Sequence, residues 1–187
     1  MRMNTPRIAP VEEQDWSEAQ REAVGKAKMG GRTLNIFKTM ANHPGLAKRW
    51  MVFANHIMGK SLISLRDREI VILRMGWLCK SGYEWGQHVE IGLQCDMNAE
   101  EIEQIKVGAD SPVWADNEKL LLKATDELHH DAFISDATWK ALSQYYDTEQ
   151  LMDIVFTAGQ YNLVSMALNT FGVQLDEGMT LDEQLRR

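Results

Sequence analysis

Apolar positions along the chain recur three and four residues apart, and β-branched residues nowhere fall into alternating runs, so the pattern predicts an all-α fold without strands. Asp15 is placed to cap a first helix over residues 16–29, which Gly30-Gly31 would end. A second covers residues 34–41, and Asn42-His43-Pro44-Gly45 breaks the chain before a third over 46–58. In that third helix Leu46, Trp50, Phe53, Ala54 and Ile57 share one apolar face. Ser64, with Asp67 three residues on, marks the start of the next helix. Its run from Glu69 to Cys79 is apolar on almost every side, which predicts a central, buried helix. Gly82 interrupts it, and a further helix from Tyr83 carries Glu84, Trp85, His88, Ile91 and Leu93. Three helices are expected near 115–130, 136–145 and 148–171, the last ended by Gly172.

The segments Leu93 to Ile105 and Leu142 to Ile154 share a pattern at an offset of 49 residues. Asn98 and Asp147 would cap the two equivalent helices. The match suits either two similar helical hairpins or a chance pairing of capped amphipathic helices. Residues 1–14 hold two of the four prolines and read as an extended arm, either wrapped on a neighbouring subunit or loose. Residues 15–175 then form a single helical domain, followed by a loose polar tail over 176–187.

At 187 residues, 44% hydrophobic and 25% charged, the chain is long enough to bury a core without staples. A formal net charge of −7 without any Lys/Arg-rich run argues against nucleic acid or an anionic membrane as partner. No apolar stretch approaches 18 residues and no secretory h-region is readable, so the cytoplasm is the expected location. Cys79 and Cys95 lie sixteen positions apart, with no CxxC or Cys/His zinc spacing, and no metal site is expected. His129 and His130 point to different helix faces and would not chelate one ion.

Candidate chemistry gathers between Glu69 and His88. Glu69 opens the most apolar helix, where desolvation would raise its pKa, unless it stays part-exposed in the first turn. Glu84 and His88, four apart, meet on one helix face as a general acid/base pair or as a surface pair of no consequence. Arg74 could clamp a substrate carboxylate, or pair with Glu69 or another acid. Tyr83 and Trp85 would wall the pocket, and His56 is a further candidate because it precedes the helix that carries Glu69. Cys79 is either a redox thiol or a buried spectator.

Arg68-Glu69-Ile-Val-Ile-Leu-Arg74, followed by Tyr83-Glu84-Trp85-x-x-His88 and a Glu-Glu-Ile helix, resembles the carboxymuconolactone decarboxylase family over about residues 44–125. That family includes the alkyl hydroperoxide reductase D (AhpD) type. Val155 to Val173 also looks like the C-terminal helix of longer members. The resemblance implies an AhpD-like helical bundle and homo-oligomers, commonly trimers or hexamers. In the peroxidase branch a CxxC pair lies three and six residues before the motif histidine, with a glutamate nineteen before it. The glutamate and histidine correspond to Glu69 and His88, but Trp85 and Gly82 stand at the cysteine positions. The decarboxylase branch's Gly-Glu-x-x-x-His pattern is similar to Tyr83-Glu84-Trp85-Gly86-Gln87-His88 in its Glu and His.

The leading expectation is a cofactor-free lyase or decarboxylase-type enzyme that moves protons on a small organic acid or lactone. His88 would be the acid/base, oriented by Glu84, with Glu69 as a second relay carboxylate and Arg74 as the carboxylate clamp. The alternatives are a thiol peroxidase built on Cys79 and a non-catalytic helical oligomer that binds a ligand.

Overall fold

Residues 2–186 are described by a computed structural model. Its central element is helix α4, Leu65–Leu78, as the all-round apolarity of this segment requires. Ser64 caps it, its hydroxyl accepting from Asp67 N at 3.0 Å. Ile70, Val71, Ile72 and Leu73 are fully buried, each contributing about 1.5–3 kcal/mol by leaving water. Around α4 pack α5 (Gly82–Gln94), α6 (Ala99–Val107), α7 (Asp116–Asp131) and α9 (Thr148–Phe171). Helices α1 (Glu18–Val24), α2 (Asn35–Met40) and α3 (Pro44–Gly59) form a smaller layer, and α8 (Asp136–Leu142) sits against α7. Among the described residues no helix is long and apolar enough to cross a membrane.

Asn98 and Asp147 cap α6 and α9 in the same way, each with a reciprocal side-chain bond three residues on. The two helices then differ, with 9 residues against 24.

Several local expectations are corrected. The first helix is shorter than expected, and Ser17 rather than Asp15 caps it, in a capping box with Gln20. After α1 the chain forms a small antiparallel ribbon, Lys28–Met29 with Arg32–Thr33, where no strand was expected. Its two-residue turn is Gly30-Gly31, both at positive φ, the conformation that tight hairpins need and that glycine supplies without steric cost. His43, read as part of a break, caps α3 through its ring nitrogen. That helix consequently starts early, and Leu46 is half-exposed rather than on the buried face.

The tail is not loose. Asp176 accepts from Tyr83 Oη at 2.5 Å, Gln87 Nε2 at 2.8 Å and Asn35 N at 2.8 Å. Asp182 pairs with Lys106 at 2.6 Å, and Leu185 is buried in the main core. The arm likewise lies along its own chain, with Arg7 N and Ile8 N donating to Phe171 O and Val11 N donating to Lys38 O.

Candidate functional site

Helix α5 returns along α4 after a turn at Lys80, which sits at a positive φ of 53°. Leu73 meets Gly92 and Gly76 meets Glu84 across this hairpin. The same antiparallel register brings Glu69 and His88, nineteen residues apart, into contact. His88 Nδ1 lies 2.6 Å from Glu69 Oε2, and His88 Nε2 lies 3.0 Å from Glu84 Oε1. Each ring nitrogen thus faces a carboxylate, a setting that favours the imidazolium. Arg68 completes the chain, with Nη2 2.7 Å from Glu69 Oε1 and Nη1 donating to Met58 O at 2.6 Å. The order Arg68–Glu69–His88–Glu84 alternates in sign.

Burial alone would pull the His88 pKa down, but Glu69 and then Glu84 outweigh it and push the imidazole up to about 9. For Glu69 burial pushes the other way, and His88 and Arg68 overcome it, so the carboxyl lies below its ordinary value. That reverses the expectation of a raised Glu69. Glu69 is completely buried. It contacts the ring from behind, and Glu84 stands on the other side.

Glu84 and His88 form part of the wall of a cavity of about 290 Å³. That volume is at the small end of the range for ligand sites. Phe37, Trp50, Met51, Met58 and Ile91 make most of the lining apolar. Tyr161 stacks edge-on against His88, ring centroids 4.9 Å apart, and its hydroxyl donates to Met58 Sδ at 2.9 Å. Burial holds this phenol well above its usual pKa, with Glu84 and Glu69 adding to the effect, so it stays protonated. Tyr83 also lines the cavity, and burial and the nearby Asp176 keep its hydroxyl protonated. Lys26 and Lys28 contribute cations at the exposed rim.

Three expected pocket residues lie elsewhere. Arg74 grips Asp126 through both nitrogens of its fork, at 2.6 and 2.9 Å, and donates to the Ile105 and Lys106 carbonyls. Gly108, at a φ of 91°, leaves the room this guanidinium occupies, since a Cβ there would fall 2.6 Å from Nη2. Trp85 packs in the core against Trp77, with Lys106 over its ring, and not on the cavity. His56 points outward to Asp153, at 3.0 Å. Cys79 is away from the cavity too, its thiol donating to Asn162 Oδ1 at 3.3 Å and pushed up in pKa by burial. Cys95 is shifted upward for the same reason.

Arg68, Tyr161, Gln160 and Asp176 were not anticipated as site residues. Gln160-Tyr161 is a polar pair inside the most apolar stretch of a long helix, a signal that was there to be read. Asp176 carried none, because only the folded tail brings it to Tyr83.

Fold and site together define a class: helical proteins built on a buried hairpin that lodges a carboxylate–imidazole proton chain beside a small cavity. Residues 44–127 match the carboxymuconolactone decarboxylase family. That segment, somewhat under half of the chain, holds both α4 and α5. The alkylhydroperoxidase AhpD core protein of Ralstonia eutropha JMP134 superimposes with a TM-score of 0.82 at 16% identity, covering 94% of each chain. A peroxidase-related protein from Silicibacter sp. TM1040 gives 0.73 at 17% identity, covering 99% of this chain and 95% of its own. The debrominase Bmp8 in complex with 2,3,4-tribromopyrrole gives 0.74 at 15% identity, covering 95% of each. At these identities the likeness establishes the AhpD-like fold. No protein of curated function matches the sequence.

Proposed function

We propose that the chain moves a proton at a carbon beside a carbonyl in a small lactone or organic acid, using no cofactor. The observation that carries this reading is the His88–Glu84 pair set in the wall of a mostly apolar cavity. In a β,γ-unsaturated lactone, Glu84 takes the proton from the carbon next to the carbonyl. The electron pair enters a dienolate, and Glu84 returns the proton at the far carbon. In a carboxylated substrate the C–CO₂ bond breaks instead. The pair again enters the enolate, the proton shared by His88 and Glu84 goes to carbon, and solvent replaces it. His88 remains cationic up to about pH 9 and stabilises the Glu84 carboxylate between transfers. Any substrate carboxylate is best placed toward Lys26, since Lys28 is paired with Glu13 and Arg74 with Asp126. A thiol mechanism has less support, because Cys79 neither lines the cavity nor has a lowered pKa.

The test is α-angelica lactone in D₂O, with deuterium uptake read by mass spectrometry and conjugation read in the ultraviolet. The expected result is protein-dependent exchange that falls by about 10²–10⁴-fold in Glu84→Gln and His88→Asn. Exchange no faster than in buffer, or variants that keep the parent rate, would overturn the proposal.

A further inference from the structure

Gln160 lies on α9 directly before Tyr161, the residue stacked on His88. It lines the same cavity and is only 5% exposed. Its side-chain amide has no hydrogen-bond partner among the described residues. Gln160 is not among the residues whose side-chain polar atoms are sealed from solvent without a partner, so its amide is open to the cavity, where a ligand oxygen can take the place of water. Gln87, the other glutamine on this cavity, is already engaged by Asp176. Phe37, Trp50, Tyr83 and Tyr161 contribute ring faces and edges to the lining, which suits a flat ring.

We infer that Gln160 is the carbonyl-binding residue of the site, its side-chain N–H donating to the carbonyl oxygen of a small cyclic ligand, lactones foremost. The choice of oxygen follows from charge. A carboxylate at this depth would face Glu84, and the lysines that could neutralise it sit on the exposed rim. A neutral carbonyl oxygen accepts from the amide without that repulsion. The inference rests on the proton-transfer reading in one respect, because the oxygen that Gln160 holds is the one that receives the electron pair as the dienolate forms. A donor placed there binds the developing oxyanion more tightly than the ground-state carbonyl.

The experiment reads binding and needs no turnover. The affinities of 2-pyranone and of toluene, a ring of similar size without oxygen, are measured by calorimetry and ligand-observed NMR. The parent protein is compared with Gln160→Leu, which conserves volume. The expected result is a loss of about tenfold in 2-pyranone affinity, with toluene affinity unchanged or improved. Equal affinity of parent and variant for 2-pyranone, an equal loss for both probes, or no 2-pyranone binding to the parent would each overturn the inference. His88→Asn, which should keep 2-pyranone binding while losing exchange, separates the two proposals. Exchange that needs His88 alongside an indifferent Gln160 sinks only the carbonyl contact. A Gln160-dependent affinity without exchange sinks only the chemistry.

Discussion

Replacing Glu69 by Gln keeps the shape of the proton chain and removes the charge that joins Arg68 to His88. In the parent protein His88 holds its proton to about pH 9, whereas an unfolded chain releases it near 6.5. At 1.36 kcal/mol for each tenfold change in proton affinity, that difference is worth about 3 kcal/mol. Between these two values the folded state binds more protons than the unfolded state, so stability must fall as pH rises. The contribution is fully present below pH 6.5 and lost above pH 9. Glu69→Gln should therefore lower the unfolding free energy at pH 6 by about 3–5 kcal/mol, since it also strands Arg68, whose side chain is only 6% exposed. Between pH 6.5 and 9 the decline seen in the parent should flatten, and the gap between the two proteins should narrow. Urea unfolding across a pH series measures both, with the ring nitrogens of His88 followed by NMR in the folded state. A variant whose stability keeps the parental pH slope would refute the view that Glu69 is the main support of the imidazolium.

Arg74→Met should cost about 2–4 kcal/mol in urea unfolding by stranding Asp126 and two helix-end carbonyls. The affinity of the same variant for 2-pyranone should not change, and a loss there would restore Arg74 to the site. Asp176→Ala removes the acceptor shared by Tyr83, Gln87 and Asn35. Limited proteolysis should then cut the segment after residue 174 sooner, with stability lower by about 2 kcal/mol. Cys79→Ser should leave lactone exchange within about twofold and hydroperoxide consumption with a dithiol reductant unchanged; a loss of either would favour thiol chemistry.

Much of the helical frame was legible because it is written in short-range signals. Ser64, Asn98 and Asp147 are followed three residues on by the groups that complete their caps, and each helix starts where those residues stand. The unbroken apolar run of α4 could be satisfied only at the centre. The ribbon at Gly30-Gly31 escaped because two residues per strand are too few to show alternation, and only the paired positive φ values betray it. The tail escaped for the opposite reason. Its anchors are single polar contacts to partners 76 to 141 residues away, which leave no local pattern.

At the site the distinction is one of helical azimuth. Adjacent residues on a helix lie about 100° apart, and residues four apart nearly coincide. Once Glu84 and His88 face the cavity, Trp85 must face elsewhere, and it does. Arg74 is five residues beyond Glu69, which turns it about 140° away, toward α6 and α7 rather than α5. His56 stands off the stripe of Met51, Ala54 and Met58 that lines the cavity on α3. These three placements followed from geometry already implied by the Glu84–His88 pair. The division of labour between the two carboxylates did not, since either could orient the ring until the α4–α5 register set Glu69 out of reach of solvent. On the proposed mechanism that register makes Glu69 the positioning group and Glu84 the proton carrier, and gives the two carboxylates different signatures. Glu84→Gln should abolish exchange while leaving most of the pH dependence of stability in place, whereas Glu69→Gln should lose both.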